Sequence, residues 1–138
     1  MTRSEKEQKI EYLSRCRRMN ERIDRLLEEK ARWRSLCVKV TQNLSQAPGK
    51  GGSGSPIERP MDKVLEIEEE ISREIEELQT VRQEIWDTLG QLEDDTLRLL
   101  MEYRYIDGMT FEKIGLKMNY CCRQVVRKHE KALSLLKL

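Results

Sequence analysis

Residues 121–131 read Cys-Cys-Arg-Gln-Val-Val-Arg-Lys-His-Glu-Lys, and on a helix they divide by face. Val125 falls on the inner side, while Cys122, Arg123, Val126 and Arg127 share an outer side that can enter a DNA major groove. Competing chemistries fare worse. Carboxylates are abundant over residues 66–84, but they line a solvated helix face with no pocket to move a proton affinity, so they make poor acid and base pairs. His129 is the only histidine, which leaves no catalytic triad and no metal triad. The four cysteines, Cys16, Cys37, Cys121 and Cys122, lack paired C-x-x-C spacing and read as small apolar residues. Neither an enzyme nor a bound cofactor or metal is expected.

The outer face needs a frame, and residues 110–133 supply the pattern of a helix-turn-helix. Thr110 is suited to cap a short helix in which Ile114 and Met118 point inward and Gly115 lets a second helix approach. Asn119, four residues after Gly115, falls where a sharp turn calls for left-handed backbone. Tyr120 is expected to be a buried turn residue, and Val125 the inner anchor of the second helix. An ordinary helical hairpin satisfies the same positions. Upstream, Asp95 is suited to cap a helix through Leu97, Leu99, Leu100, Tyr103 and Ile106, and Gly108 to end it. The last helix is expected to reach Leu138 and to pack its end on another element.

The rest of the 138 residues is read as helical too, with 37% charged and 5% aromatic residues. Tyr12, Cys16, Met19, Ile23, Leu26, Lys30, Trp33, Cys37 and Val40 alternate spacings of four and three, a heptad seam on one helix from about Glu5 to Leu44. Leu13, Leu27 and Leu36 widen that stripe. Pro48, Pro56 and Pro60 bracket a Gly/Ser-rich stretch that reads as a flexible linker, and Lys50 there lacks the G-x-x-x-x-G-K-[ST] order of a phosphate loop. A second long helix opens at Met61 or Asp62 and carries Val64, Ile67, Ile71, Leu78, Val81 or Arg82, Ile85, Leu89 and Leu92, with Ile75 filling a gap.

Charge is segregated although the formal net is only +1. Residues 1–46 hold 12 basic against 7 acidic side chains, 61–95 hold 3 against 13, and 96–138 hold 9 against 4. Opposite charges favour pairing of the two long helices, as an antiparallel hairpin within one chain or between two copies. The expected fold class is all-α: a long N-terminal antiparallel helical hairpin, coiled-coil-like, followed by a compact helix-turn-helix domain. Its segments are a long helix over 1–46, a linker over 47–60, an acidic helix over 61–92 and the compact domain over 93–138. No run of about 20 apolar residues or signal peptide is evident, so no membrane partner and a cytoplasmic, nucleoid-associated location are expected.

With Leu100, Arg104 to Phe111, Ile114-Gly115, Asn119-Tyr120, Arg123, Val125, Arg127, His129 and Ala132-Leu133 in view, the C-terminal third resembles region four of bacterial sigma factors. The chain as a whole is similar to small phage-encoded transcriptional regulators of the RinA and ArpU kind. That resemblance covers about residues 60–136 and implies a transcription regulator on double-stranded DNA, alongside RNA polymerase; the heptad seams, apart from the resemblance, also allow a homodimer through the N-terminal helices. It carries recognition roles to Cys122, Arg123, Val126 and Arg127, with Gln124 at the rim. Arg123 and Arg127 are the favoured pair, because a guanidinium holds guanine O6 and N7 bidentately or grips a phosphate. Lys113, Lys117, Lys128 and Lys131 suit phosphates.

Three positions depart from the family pattern. Cys121 replaces a capping Ser or Thr, Lys128 takes an apolar position and must snorkel, and Val126 can offer only an apolar contact to a thymine methyl. With Trp33 and Trp86 as its only tryptophans, the chain lacks the clustered aromatics of a complete sigma factor. A helical adaptor that meets protein rather than DNA is the second expectation.

Overall fold

The computed structural model describes residues 1–46 and 58–138. Among them are six helices and no strand: α1 (Arg3–Leu13), α2 (Arg15–Gln46), α3 (Glu58–Leu89), α4 (Asp95–Tyr105), α5 (Phe111–Met118) and α6 (Cys122–Leu135). The all-α class is therefore observed. The linker expected over 47–60 lies outside the described residues as far as residue 57. None of the described helices is long and apolar enough to cross a membrane.

The single first helix expected from Glu5 to Leu44 is broken at Ser14. Thr2 opens α1 with a capping box, its Oγ1 accepting from Glu5 N–H at 3.2 Å while its own N–H donates to Glu5 Oε2 at 3.3 Å. At the break two guanidiniums take carbonyls of the last turn of α1, Arg15 Nε donating to Tyr12 O at 3.0 Å and Arg18 to Glu11 O at 2.8 Å. Cations at a helix C-terminus also oppose the negative end of its dipole. The second long helix starts at Glu58, earlier than Met61, and this places Pro60 in its first turn. Proline is tolerated there because the missing N–H has no partner to lose.

The chain divides into two compact units. One is Glu21–Glu77, made of the matching stretches of α2 and α3. Ile23, Cys37, Val64, Ile67 and Ile71 are buried in it. Arg22 binds Glu70 at 2.8 Å and Glu74 at 3.1 Å, and Lys30 and Arg34 meet Glu68 at 3.2 and 3.3 Å. The partners ascend along α2 as they descend along α3. The seam is narrower than expected, since Leu27 and Leu36 lie exposed. Ile75 does not fill the seam either: it is 40% exposed, and Glu74 takes the three-four position and turns to Arg22.

The other unit joins Met1–Asn20 to Leu78–Leu138. Its core gathers Leu13 and Cys16, Ile85, Leu89 and Leu92, Leu97, Leu100 and Met101, Ile114, Val125, Leu133 and Leu136. The core that encloses α4 to α6 thus draws on residues well before 93. Asp94, one residue ahead of the expected Asp95, caps α4 by accepting from Thr96 N–H at 2.9 Å. Asp95 instead pairs with Arg98 within the first turn. Gly108 adopts φ 71° beyond α4, as its left-handed role requires.

The final helix stops at Leu135 instead of running to Leu138. Leu136 turns extended and buries its side chain. Gln91 then clasps the tail through both groups of its amide, accepting from Lys137 N–H at 3.2 Å and donating to Lys137 O at 3.3 Å. Packing of the end of α6 on another element is observed: α1 lies against it, and Lys9 Nζ donates to Leu133 O at 2.9 Å.

Candidate nucleic-acid interface

The outward face of α6 is aimed by the short helix before it and the turn between. Thr110 Oγ1 accepts from Lys113 N–H at 3.2 Å and starts α5. Asn119 stops it at φ 60°, ψ 43°, the left-handed conformation that its residue type favours. Gly115 is needed because of the turn more than because of the second helix. A Cβ there would stand 2.6 Å from Tyr120 O and 3.6 Å from Val125 Cγ2. Tyr120 itself is half-buried, less enclosed than expected.

Cys121 is the N-cap of α6, and the cap depends on its neighbour. Gln124 Oε1 accepts from the Cys121 backbone N–H at 3.1 Å, the return half of a capping box. Gln124, expected at the rim of the reading face, therefore commits one end of its amide to starting the helix. A Gln three residues past a capping position was the readable signal.

Beneath this surface lies a polar node that holds α4, α5 and α6 together. His129 is 5% exposed, with its Nε2 2.5 Å from Tyr105 Oη and its ring edge-on to Phe111 at 5.0 Å between centroids. Burial holds the imidazole well below its ordinary value, to about 4, helped by the positive charges of Arg104 and Lys6 against a smaller opposing pull from Glu130. Burial also pushes the Tyr105 phenol up to about 12. Both groups are neutral near pH 7, and a single hydrogen bond joins the phenol oxygen to Nε2. Arg104 caps the node, donating to Met109 O at 3.0 Å with its guanidinium 4.2 Å from the centre of the Phe111 ring.

Val125, His129, Ala132 and Leu133 are the buried face of α6, and the opposite face carries the expected readers. Cys122, Arg123, Gln124, Arg127 and Lys131 are exposed, and Val126 is 37% exposed at the flank. Arg123, Arg127 and Lys131 form no ion pair among the described residues. Lys113 on α5 is likewise exposed and unpaired. Lys117 places its ammonium 5.7 Å from the centre of the Tyr103 ring. Lys128 is half-buried, and its Nζ lies 5.0 Å from the centre of the Tyr120 ring, so a cation–π contact accompanies the snorkelling. Cys121 and Cys122 are exposed free thiols.

Two residues were not singled out from sequence. Glu130 lies on the arginine stripe, three residues beyond Arg127 and seven beyond Arg123, and Lys6 of α1 binds it at 2.5 Å. The spacing of Glu130 was readable, but its partner is 124 positions away and gave no local signal. Leu116, on the outward side of α5, is 82% exposed. Compared with protein-family models, curated proteins and solved structures, the chain has no match.

Proposed function

We propose that the chain is a sequence-specific, DNA-binding transcription regulator of phage or prophage origin. In this reading α5, the Asn119 turn and α6 are a helix-turn-helix in which α6 enters the major groove beside RNA polymerase. The paired stretches of α2 and α3 are an antiparallel hairpin that holds a partner or a second copy. The observation that carries the proposal is the state of the cations. Arg123 and Arg127 share the stripe opposite the core and make no ion pair among the described residues, whereas Arg22, Lys30 and Arg34 are each bound to carboxylates. Unpaired cations on one rigid stripe are ready for phosphates and guanine edges without first breaking an internal bond.

The test is a random-site DNA selection at fixed salt, followed by affinity measurement across salt concentrations. Log affinity for the selected duplex falls steeply with log salt, by about 0.9 in slope for each phosphate neutralised. Arg127→Ala costs about 1–3 kcal/mol of discrimination at its base and relaxes the preference there. Lys113→Ala weakens all duplexes alike and lowers the slope by about one. Affinity unchanged between low and moderate salt overturns the proposal.

The adaptor reading has one observation on its side, the 82% exposed Leu116 between Lys113 and Lys117 on the outer side of α5. Under that reading polymerase is retained by the wild-type chain and lost with Leu116→Ala, with no DNA shift in either case.

A further inference from the structure

We propose that Lys6 of α1 is a positioning residue of the DNA-reading surface, because it occupies the only carboxylate of α6, Glu130, and so leaves Arg127 free to reach DNA. The inference rests on the DNA-binding proposal and adds to it a contribution from a helix far away in the sequence. Its starting point is an arginine that does not make an available bond. Arg127 and Glu130 are three residues apart on one exposed helix face, a spacing at which Arg and Glu side chains come within reach of each other. Arg127 nevertheless makes no ion pair among the described residues, and Glu130 is bound by Lys6 at 2.5 Å.

The remainder of α1 keeps Lys6 there. The Thr2–Glu5 capping box starts the helix one turn ahead of it. Lys9, on the next turn, donates to Leu133 O at 2.9 Å, and Leu13 is completely buried in the core. Lys6 is thus delivered by a docked helix and not by a swinging side chain alone. The Lys6 ammonium holds the Glu130 carboxyl below its ordinary range, as expected of a pair formed in the folded protein.

Removing Lys6 has two linked effects. A bare Glu130 repels the phosphates that the stripe approaches, and it also draws the Arg127 guanidinium into an intrahelical pair. Both weaken binding, and the second also blunts base preference. Both vanish when the carboxylate is made an amide.

The experiment compares the full chain with Lys6→Ala, Glu130→Gln and the double variant. Each is titrated by fluorescence anisotropy against a short random-sequence duplex and against a duplex from the selection. Lys6→Ala is expected to bind about tenfold more weakly and to lose part of the preference for the selected duplex. Glu130→Gln stays within about twofold of wild type, and the double variant returns to that level. Unchanged thermal melting by circular dichroism separates this pattern from loss of fold, since both side chains are at the surface. A double variant as weak as Lys6→Ala overturns the inference, as does a salt slope lowered by about one, which marks Lys6 as a direct phosphate contact. Wild-type binding with an unaffected Lys6→Ala overturns this inference alone. A wild-type chain that leaves both duplexes unbound overturns the DNA-binding proposal and this inference with it.

Discussion

His129 links the chemistry of one side chain to the stability of the unit that presents α6. Its imidazole ordinarily titrates at 6.5 and in the fold at about 4. Above pH 6.5 the ring is neutral in both folded and unfolded chains, and its contribution is fully present. As pH falls from 6.5 toward 4, the unfolded chain takes up a proton that the folded one refuses, so stability drops. Below 4 the loss levels off, at a total of roughly 3 kcal/mol given about 1.4 kcal/mol per pH unit. As the only histidine, it gives one imidazole resonance, expected to titrate near 4 by NMR and to move to about 6.5 in urea. Urea unfolding of His129→Phe should lose this part of the slope between those limits. A resonance titrating near 6.5 in the folded protein contradicts the account. Sequence showed a lone histidine with no metal partners but not its burial, because Tyr105 lies 24 positions away and is joined to it only by folding.

Helices and turns were legible where the cause is local. Thr110, Asn119 and Gly108 act through their own backbone or the next turn, and each does what its residue type predicts. Gly115 was legible as a close approach, though the close atom proved to be the Tyr120 carbonyl. Gly115→Ala normally strengthens a helix by up to about 1 kcal/mol. Here the new methyl meets backbone that cannot give way without moving the turn, and the net result should be a loss of about 2 kcal/mol in urea denaturation. An alanine variant as stable as wild type would show that the turn yields. Ser14 was not legible as a break, since no Gly or Pro marks it and the heptad spacing runs straight through. The break is stabilised by side chains of Arg15 and Arg18 that fold back on α1, a contact that periodicity does not encode.

At the scale of the molecule, the unit that contains α4 to α6 is assembled from both ends of the chain. Leu13 and Cys16 come from one end and Ile85, Leu89 and Leu92 from the segment before α4, and all five pack into the core that holds Ile114 and Val125. A fragment of residues 93–138, the compact domain expected from sequence, leaves that core without these side chains. It should show much lower helicity by circular dichroism and no cooperative melt, since each large apolar side chain withheld removes roughly 1.5–3 kcal/mol of burial. A cooperative melt equal to that of the full chain would contradict this. The contribution of α1 was hidden from sequence because amphipathic spacing reveals that a face will be covered without revealing by what. The same arrangement sets an order of assembly. Tyr105 and His129 meet across 24 positions, but Lys6 and Glu130 meet across 124, and the entropy lost in closing a loop grows with its length. The contacts among α4, α5, α6 and the 85–92 segment are therefore expected to form first, with α1 docking after them. In the interval α6 already carries its arginines, with Arg127 free to close on Glu130. Amide hydrogens of α1 should exchange ahead of those of α6, and, on the DNA-binding proposal, slow docking of α1 would appear as a lag between helix formation and capture of a duplex.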